Sequence, residues 1–158
     1  MIKVFEPKLS FSDKLAVFSS IMKNEISGSS PIVKTFEENT AKEFDRKYAS
    51  AVSNGSVALD LAFQSLNLSD EDEIIIPSFT IISALAAVIR SGGKPVFCDV
   101  DLHTMNVRAE DIKARVTDKT AAVMVVHYAG LAVDMESILA LGFPVIEDAA
   151  HAIDSTYR

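Results

Sequence analysis

The feature that most constrains this sequence is the regular return of short β-branched runs, each followed by a segment with helical spacing. Glu73–Pro77, Lys94–Cys98, Thr120–His127 and Val145-Ile146 are apolar almost throughout, as strands buried on both faces require. Between them, Ile81–Arg90, Ala109–Val116 and Asp134–Leu141 repeat apolar residues three and four apart, and Gly92-Gly93 ends the first of these helices. Connections of this length carry crossover helices rather than hairpins, so the pattern predicts an α/β fold with a mostly parallel sheet. An earlier unit reads the same way. Tyr48–Ser53 is the expected strand, Asn54-Gly55-Ser56 the turn, and Val57, Leu59, Leu61, Ala62 and Leu66 lie on the following helix.

Upstream of these units, residues 1–9 are expected to be irregular, with Pro7 outside any element. Ser10 or Ser12 can cap a helix bearing Leu15, Phe18, Ile21 and Met22 and ending near Ile26. The Ser27–Pro31 stretch has turn chemistry, and a second helix places Val33, Phe36, Thr40 and Phe44 on one face. These helices precede the first strand, so residues 1–46 form a helical extension and residues 47–158 the α/β domain. A length of 158 residues suffices for one core of this kind. A net charge of −7, with lysines and arginines scattered, argues against nucleic-acid partners, which require basic patches. The single cysteine, Cys98, gives no disulfide framework and suits a reducing cytoplasm. Met1-Ile2-Lys3 opens no signal-peptide pattern, and the apolar runs at 84–89 and 121–126 are too short to cross a bilayer. No membrane association is expected.

Chemistry is expected where strands end, because ligands of open α/β sheets bind outside the carboxyl ends of the strands. Glu147 and Asp148 stand there after Val145-Ile146, with His151 three residues beyond Asp148. An aspartate in this position can equally close a turn. Asn54-Gly55-Ser56 precedes a helix, so free backbone N–H groups and the Ser56 hydroxyl could hold an anion. The same residues also make an ordinary Asn-Gly turn with a serine cap. Neither GxGxxG nor GxxxxGK[ST] occurs, which disfavours a dinucleotide or nucleoside-triphosphate loop. Asp99, Asp101 and His103 alternate in the manner of metal ligands on a strand, but Thr104-Met105-Asn106 suits a turn better, and no metal site is expected. His127 is expected to be satisfied by backbone and Cys98 to be a buried, inert thiol. An anion site after one strand and an acid after another suit a phosphorylated cofactor with a basic ring nitrogen.

Five stretches carry a resemblance. Ser53–Leu59, Ile76–Thr80, Lys94–Asp101, Val126–Gly130 and Val145–His151 resemble, in order and spacing, motifs of the DegT/StrS family of pyridoxal-phosphate (PLP)-dependent sugar aminotransferases. The resemblance covers essentially the whole chain. It implies a three-layer α/β/α architecture like the large domain of fold-type I PLP enzymes. Asp148 matches the aspartate that pairs with the pyridine nitrogen, and His151 a position near the cofactor's phenolic oxygen. Gly55, Ser56 and Val57 match the phosphate-cradling turn, with serine where threonine is more usual. Ile81 matches a position that often stacks an aromatic ring on the cofactor, so here apolar contact would replace π-stacking.

The resemblance also implies what these residues lack. The family's Schiff-base lysine follows the Glu-Asp-Ala-Ala-His motif by some tens of residues, whereas no lysine follows Lys119 here. No catalytic residue is therefore expected in the chain. It is expected to be an N-terminal fragment, without the small C-terminal domain, inactive and prone to aggregate by itself. The complete enzyme would be a homodimer that transfers an amino group, with glutamate as donor, to a nucleotide-linked keto sugar in cell-surface polysaccharide or related amino-sugar biosynthesis. A PLP-dependent sugar dehydratase of the same family and a non-catalytic remnant are the alternatives.

Overall fold

Four parallel strands form one sheet in the order β2-β1-β3-β4: β1 (Glu73–Pro77), β2 (Lys94–Cys98), β3 (Thr120–Val126) and β4 (Val145–Asp148). The computed structural model describes residues 8–153 and 155–157, so the expected irregularity of residues 1–7 lies outside the described residues. The chain divides into two compact units, one ending at Ala51 and one beginning at Val52.

In the second unit, the central strands β1 and β3 are buried on both faces, which explains their continuous apolar sequence. Because side chains alternate along a strand, each face has its own core. On one face Ile74, Ile76, Ala122 and Met124 pack with Leu59 and Phe63 of α3 (Gly55–Gln64) and with Ala84, Ala87 and Val88 of α4 (Ile82–Arg90). On the other, Ile75, Val123, Val125 and Cys98 pack with Ile112 of α5 (Ala109–Lys113) and with Met135 and Ile138 of α6 (Met135–Leu139). The result is the α/β/α layering. Pro95 is tolerated because β2 is an edge strand with a ladder partner on one side only. From β1 the chain moves out to β2 and then returns past β1 to β3. That reversal opens a crevice at the carboxyl ends of the strands, as at other topological switch points.

In the first unit, α1 (Phe11–Met22) begins at Ser10 rather than Ser12. The Ser10 hydroxyl accepts from the Asp13 N–H at 3.1 Å, while the Asp13 carboxylate accepts from the Ser10 N–H at 2.7 Å. The helix ends at Met22, short of Ile26, because Asn24 turns to a positive φ of 59°. The second helix, α2 (Pro31–Glu43), starts with proline at its first turn, where no N–H is needed.

The expected strand at Tyr48–Ser53 is absent; these residues are irregular. The Ala51 N–H donates to the Glu37 carboxylate at 2.8 Å instead of to a ladder, and the small residues Ala49, Ser50 and Ala51 offer little to pack on a sheet. The helices α5 and α6 are also shorter than their periodicity predicts. They stop at Ala114 and Ala140, whose N–H groups close the final turns. Among the described residues no helix is long and apolar enough to cross a membrane.

Candidate functional site

The site is built at the start of α3. Asn54 is its N-cap, and the Asn54 side chain accepts the Val57 N–H at 3.1 Å. That bond leaves the Gly55 and Ser56 amides without a partner among the described residues, at the positive end of a helix. A Cβ added at Gly55 would meet nothing within 4 Å, so the space beside its Cα is open. Asn54, rather than Ser56, therefore caps the helix. The Ser56 hydroxyl is 2.7 Å from that of Ser83 on the first turn of α4.

The facing wall comes from the end of β4. One oxygen of Asp148 accepts the Ala150 N–H at 3.1 Å, which closes a turn. Its other oxygen has no hydrogen bond among the described residues. Gly55, Ser56, Ser83, Ile81 and Asp148 line one cleft of ≈ 490 Å³, whose apolar part comes from Ala58, Leu59, Ala62 and Ile146. Ile81 is 58% exposed and holds the N-cap position of α4, where it cannot make a cap hydrogen bond. The cleft is thus lined by anion-attracting donors, by the carboxylates of Glu147 and Asp148 and by an apolar group of side chains. This donor set fits a flat ligand with a phosphate and a protonated ring nitrogen.

Two of the expected residues stand differently. Val57 is outside the cleft lining, its amide being given to Asn54, so it fixes the turn rather than facing the cleft. His151 is exposed and outside the lining. Its Nδ1 accepts the Ala129 N–H at 3.3 Å, and its ring lies edge-on to Tyr128 with centroids 5.7 Å apart. Tyr128 in turn tilts against Phe79 at 5.0 Å, so one aromatic row joins the loops after β1, β3 and β4. Gly130 is required here. Its φ is +84°, and a Cβ would approach the His151 carbonyl oxygen to 3.1 Å.

Sequence reasoning missed Ser83, Phe79 and the supports behind this row. Asn106, 5% exposed, donates to the Leu131 carbonyl at 2.8 Å and accepts the Tyr128 N–H at 3.0 Å, pinning the turn. His127 is 6% exposed. Its Nδ1 accepts the Val133 N–H at 3.3 Å, so Nε2 carries the proton and donates to Glu147 at 3.0 Å. Backbone thus satisfies one ring nitrogen and a carboxylate the other. The signal that could have revealed Ser83 is its match to Ser56, since each is a hydroxyl on the first turn of a helix entering the same cleft.

The remaining candidates have structural partners. Asp101 accepts from the Thr104 and His103 N–H groups, both at 3.0 Å, which holds its carboxyl below the usual carboxylate range. Among the described residues no three His, Cys, Asp or Glu side chains converge as a metal site needs. Burial pushes the Cys98 thiol up to about 11, so it stays protonated at neutral pH.

Comparison with known proteins adds the family. The model of the DegT/DnrJ/EryC1/StrS aminotransferase family matches residues 11–158. A GDP-perosamine synthase of Escherichia coli O157:H7 is 37% identical over 161 residues, covering 99% of this chain and 44% of that protein. Among solved structures, an aminotransferase from Psychrobacter cryohalolentis superposes with a TM-score of 0.91 at 38% identity, covering 96% of this chain and 40% of its own. A GDP-4-keto-6-deoxymannose-3-dehydratase with a trapped PLP–glutamate geminal diamine gives 0.84 at 27%, covering 92% of this chain and 40% of its own. The chain spans less than half the length of each of these proteins. With the family model matched from residue 11 to residue 158, the chain belongs to the DegT/DnrJ/EryC1/StrS aminotransferase family.

Proposed function

We propose that these residues form the cofactor-binding part of a PLP-dependent enzyme that transfers an amino group from glutamate to a nucleotide-linked keto sugar in amino-sugar biosynthesis. The observation that carries this reading is that the Gly55 and Ser56 amides and one Asp148 oxygen, all without a hydrogen bond among the described residues, belong to residues lining one cleft. PLP, when bound, supplies an aldehyde that takes up and returns the amino group and a ring that withdraws electrons. The Gly55 and Ser56 amides and the Ser56 hydroxyl would hold its phosphate, and the Val57–Asn54 bond keeps that turn in shape. Asp148 would hold a proton on the ring nitrogen, because a carboxylate beside a basic nitrogen favours its charged form. Ile81 covers one face of the site by apolar contact and excludes water. His151 is assigned to the side of the phenolic oxygen, its ring steadied by Ala129 and Tyr128.

The Schiff-base lysine is assigned to a part of the protein outside these 158 residues. Lys94 and Lys119 stand at the opposite ends of the strands, where both pair with Glu71. A homodimer and a cytoplasmic location complete the proposal. The GDP-sugar relatives support a nucleotide-linked substrate and make GDP the first nucleotide to test.

The test uses protein expressed from its complete reading frame, loaded with PLP. Glutamate alone should yield 2-oxoglutarate, and a GDP-linked 4-keto-6-deoxy sugar should then yield an amino sugar in equal amount. A second reading, dehydration, is supported by the structural likeness to the dehydratase. It predicts a deoxygenated keto sugar without lasting amination. Absence of both products contradicts the proposal.

A further inference from the structure

The cleft holds a hydroxyl pair of which the cofactor reading uses only one member, Ser56. Ser56 Oγ and Ser83 Oγ are 2.7 Å apart, on the first turns of α3 and α4, and both line the cleft. A serine hydroxyl carries one proton and two lone pairs, so the pair consumes one O–H and leaves the other to point elsewhere. A phosphate oxygen only accepts. Ser56 can donate to it only when its own proton leaves the pair, and Ser83 must then be the donor within the pair. Ser83 makes no other side-chain hydrogen bond among the described residues, and it is not the cap of α4. Without Ser83, the Ser56 hydroxyl would rotate freely.

We propose that Ser83 is a positioning residue for the phosphate end of the cleft: its O–H donates to Ser56 Oγ and turns the Ser56 proton toward the ligand. This rests on the reading of the cleft as a PLP site. The ordering of the donor is completed before the ligand arrives, and a hydroxyl that accepts one hydrogen bond donates a stronger one. The effect belongs to the phosphate, so a cofactor analogue without it should not sense Ser83.

Binding of PLP and of pyridoxal, which lacks the phosphate, tests this in protein from the complete reading frame. The variants are Ser83→Ala, Ser56→Ala, both together, and Ser83→Thr. Ser83→Ala should weaken PLP about three- to tenfold, the worth of one hydrogen bond, and leave pyridoxal unchanged. In the Ser56→Ala background it should cost nothing further, and Ser83→Thr should restore binding. Equal weakening of both ligands would make Ser83 a tie between two helices and overturn the proposal. Additive losses would make it a direct phosphate ligand and overturn it too. If wild-type protein prefers PLP to pyridoxal and Ser83→Ala changes nothing, the cofactor reading stands and this one falls. If wild-type protein shows no such preference, both fall.

Discussion

Asp148 closes a turn with one oxygen, which accepts the Ala150 N–H, and its other oxygen has no hydrogen bond among the described residues. Asp148→Asn keeps an acceptor for the turn but removes the charge. A hydrogen bond to a charged partner contributes about 1.5–3 kcal/mol, so PLP affinity should fall about 10- to 100-fold while the melting temperature stays unchanged. Titration with PLP and a thermal melt measure the two sides. Cys98 gives a second residue-scale prediction. Because burial holds its thiol up to about 11, the native protein should leave it unreacted toward a disulfide reagent at pH 8 and expose it in guanidinium. Local placement was legible in the sequence: Asp148 at a strand end, Gly55 and Ser56 at a helix start. Ser83 and Glu147 were not, because their partners lie 27 and 20 residues away, and nothing in Ile81-Ile82-Ser83-Ala84 marks the distant contact.

At the scale of elements, β1 and β2 lie where their sequences place them, since β-branched runs bounded by turn residues have one buried use in such a sheet. Tyr48–Ser53 shows the limit of that reasoning. A strand needs a partner, and whether one is available is not written in six residues. Across the amino-terminal ends of the strands, Glu71 pairs with Lys94 at the start of β2 and Lys119 before β3. Hydrogen bonds and charge from Lys119 and then Lys94 hold its carboxyl down at about 2, from 4.5. A lowered folded-state value means that this contribution is complete above the unfolded value and is lost as pH falls toward 2. Glu71→Gln should therefore be less stable than wild type at pH 7, with the difference disappearing as pH falls from 4.5 to 2. Urea denaturation at stepped pH measures it, and high salt should shrink the difference at neutral pH because these side chains are exposed.

At the scale of the molecule, the order β2-β1-β3-β4 sends the loops after β1 and β3 apart, and the end of β4 faces the start of α3 across the cleft. The sequence shows the alternation of strands and helices, but not which neighbours each strand takes. Strand order depends on how α4 and α5 cover opposite faces, which becomes visible only in the packed cores. The central claim is that this cleft is polarised for PLP, with phosphate at the Gly55-Ser56 turn and the ring nitrogen at Asp148. A crystal structure of the protein from its complete reading frame, grown with PLP, tests it most directly. Phosphate oxygens are expected in hydrogen-bond contact with the Gly55 and Ser56 amides, and the ring nitrogen in contact with Asp148. A cofactor bound elsewhere, or reversed so that its phosphate lies beside Asp148, would contradict it.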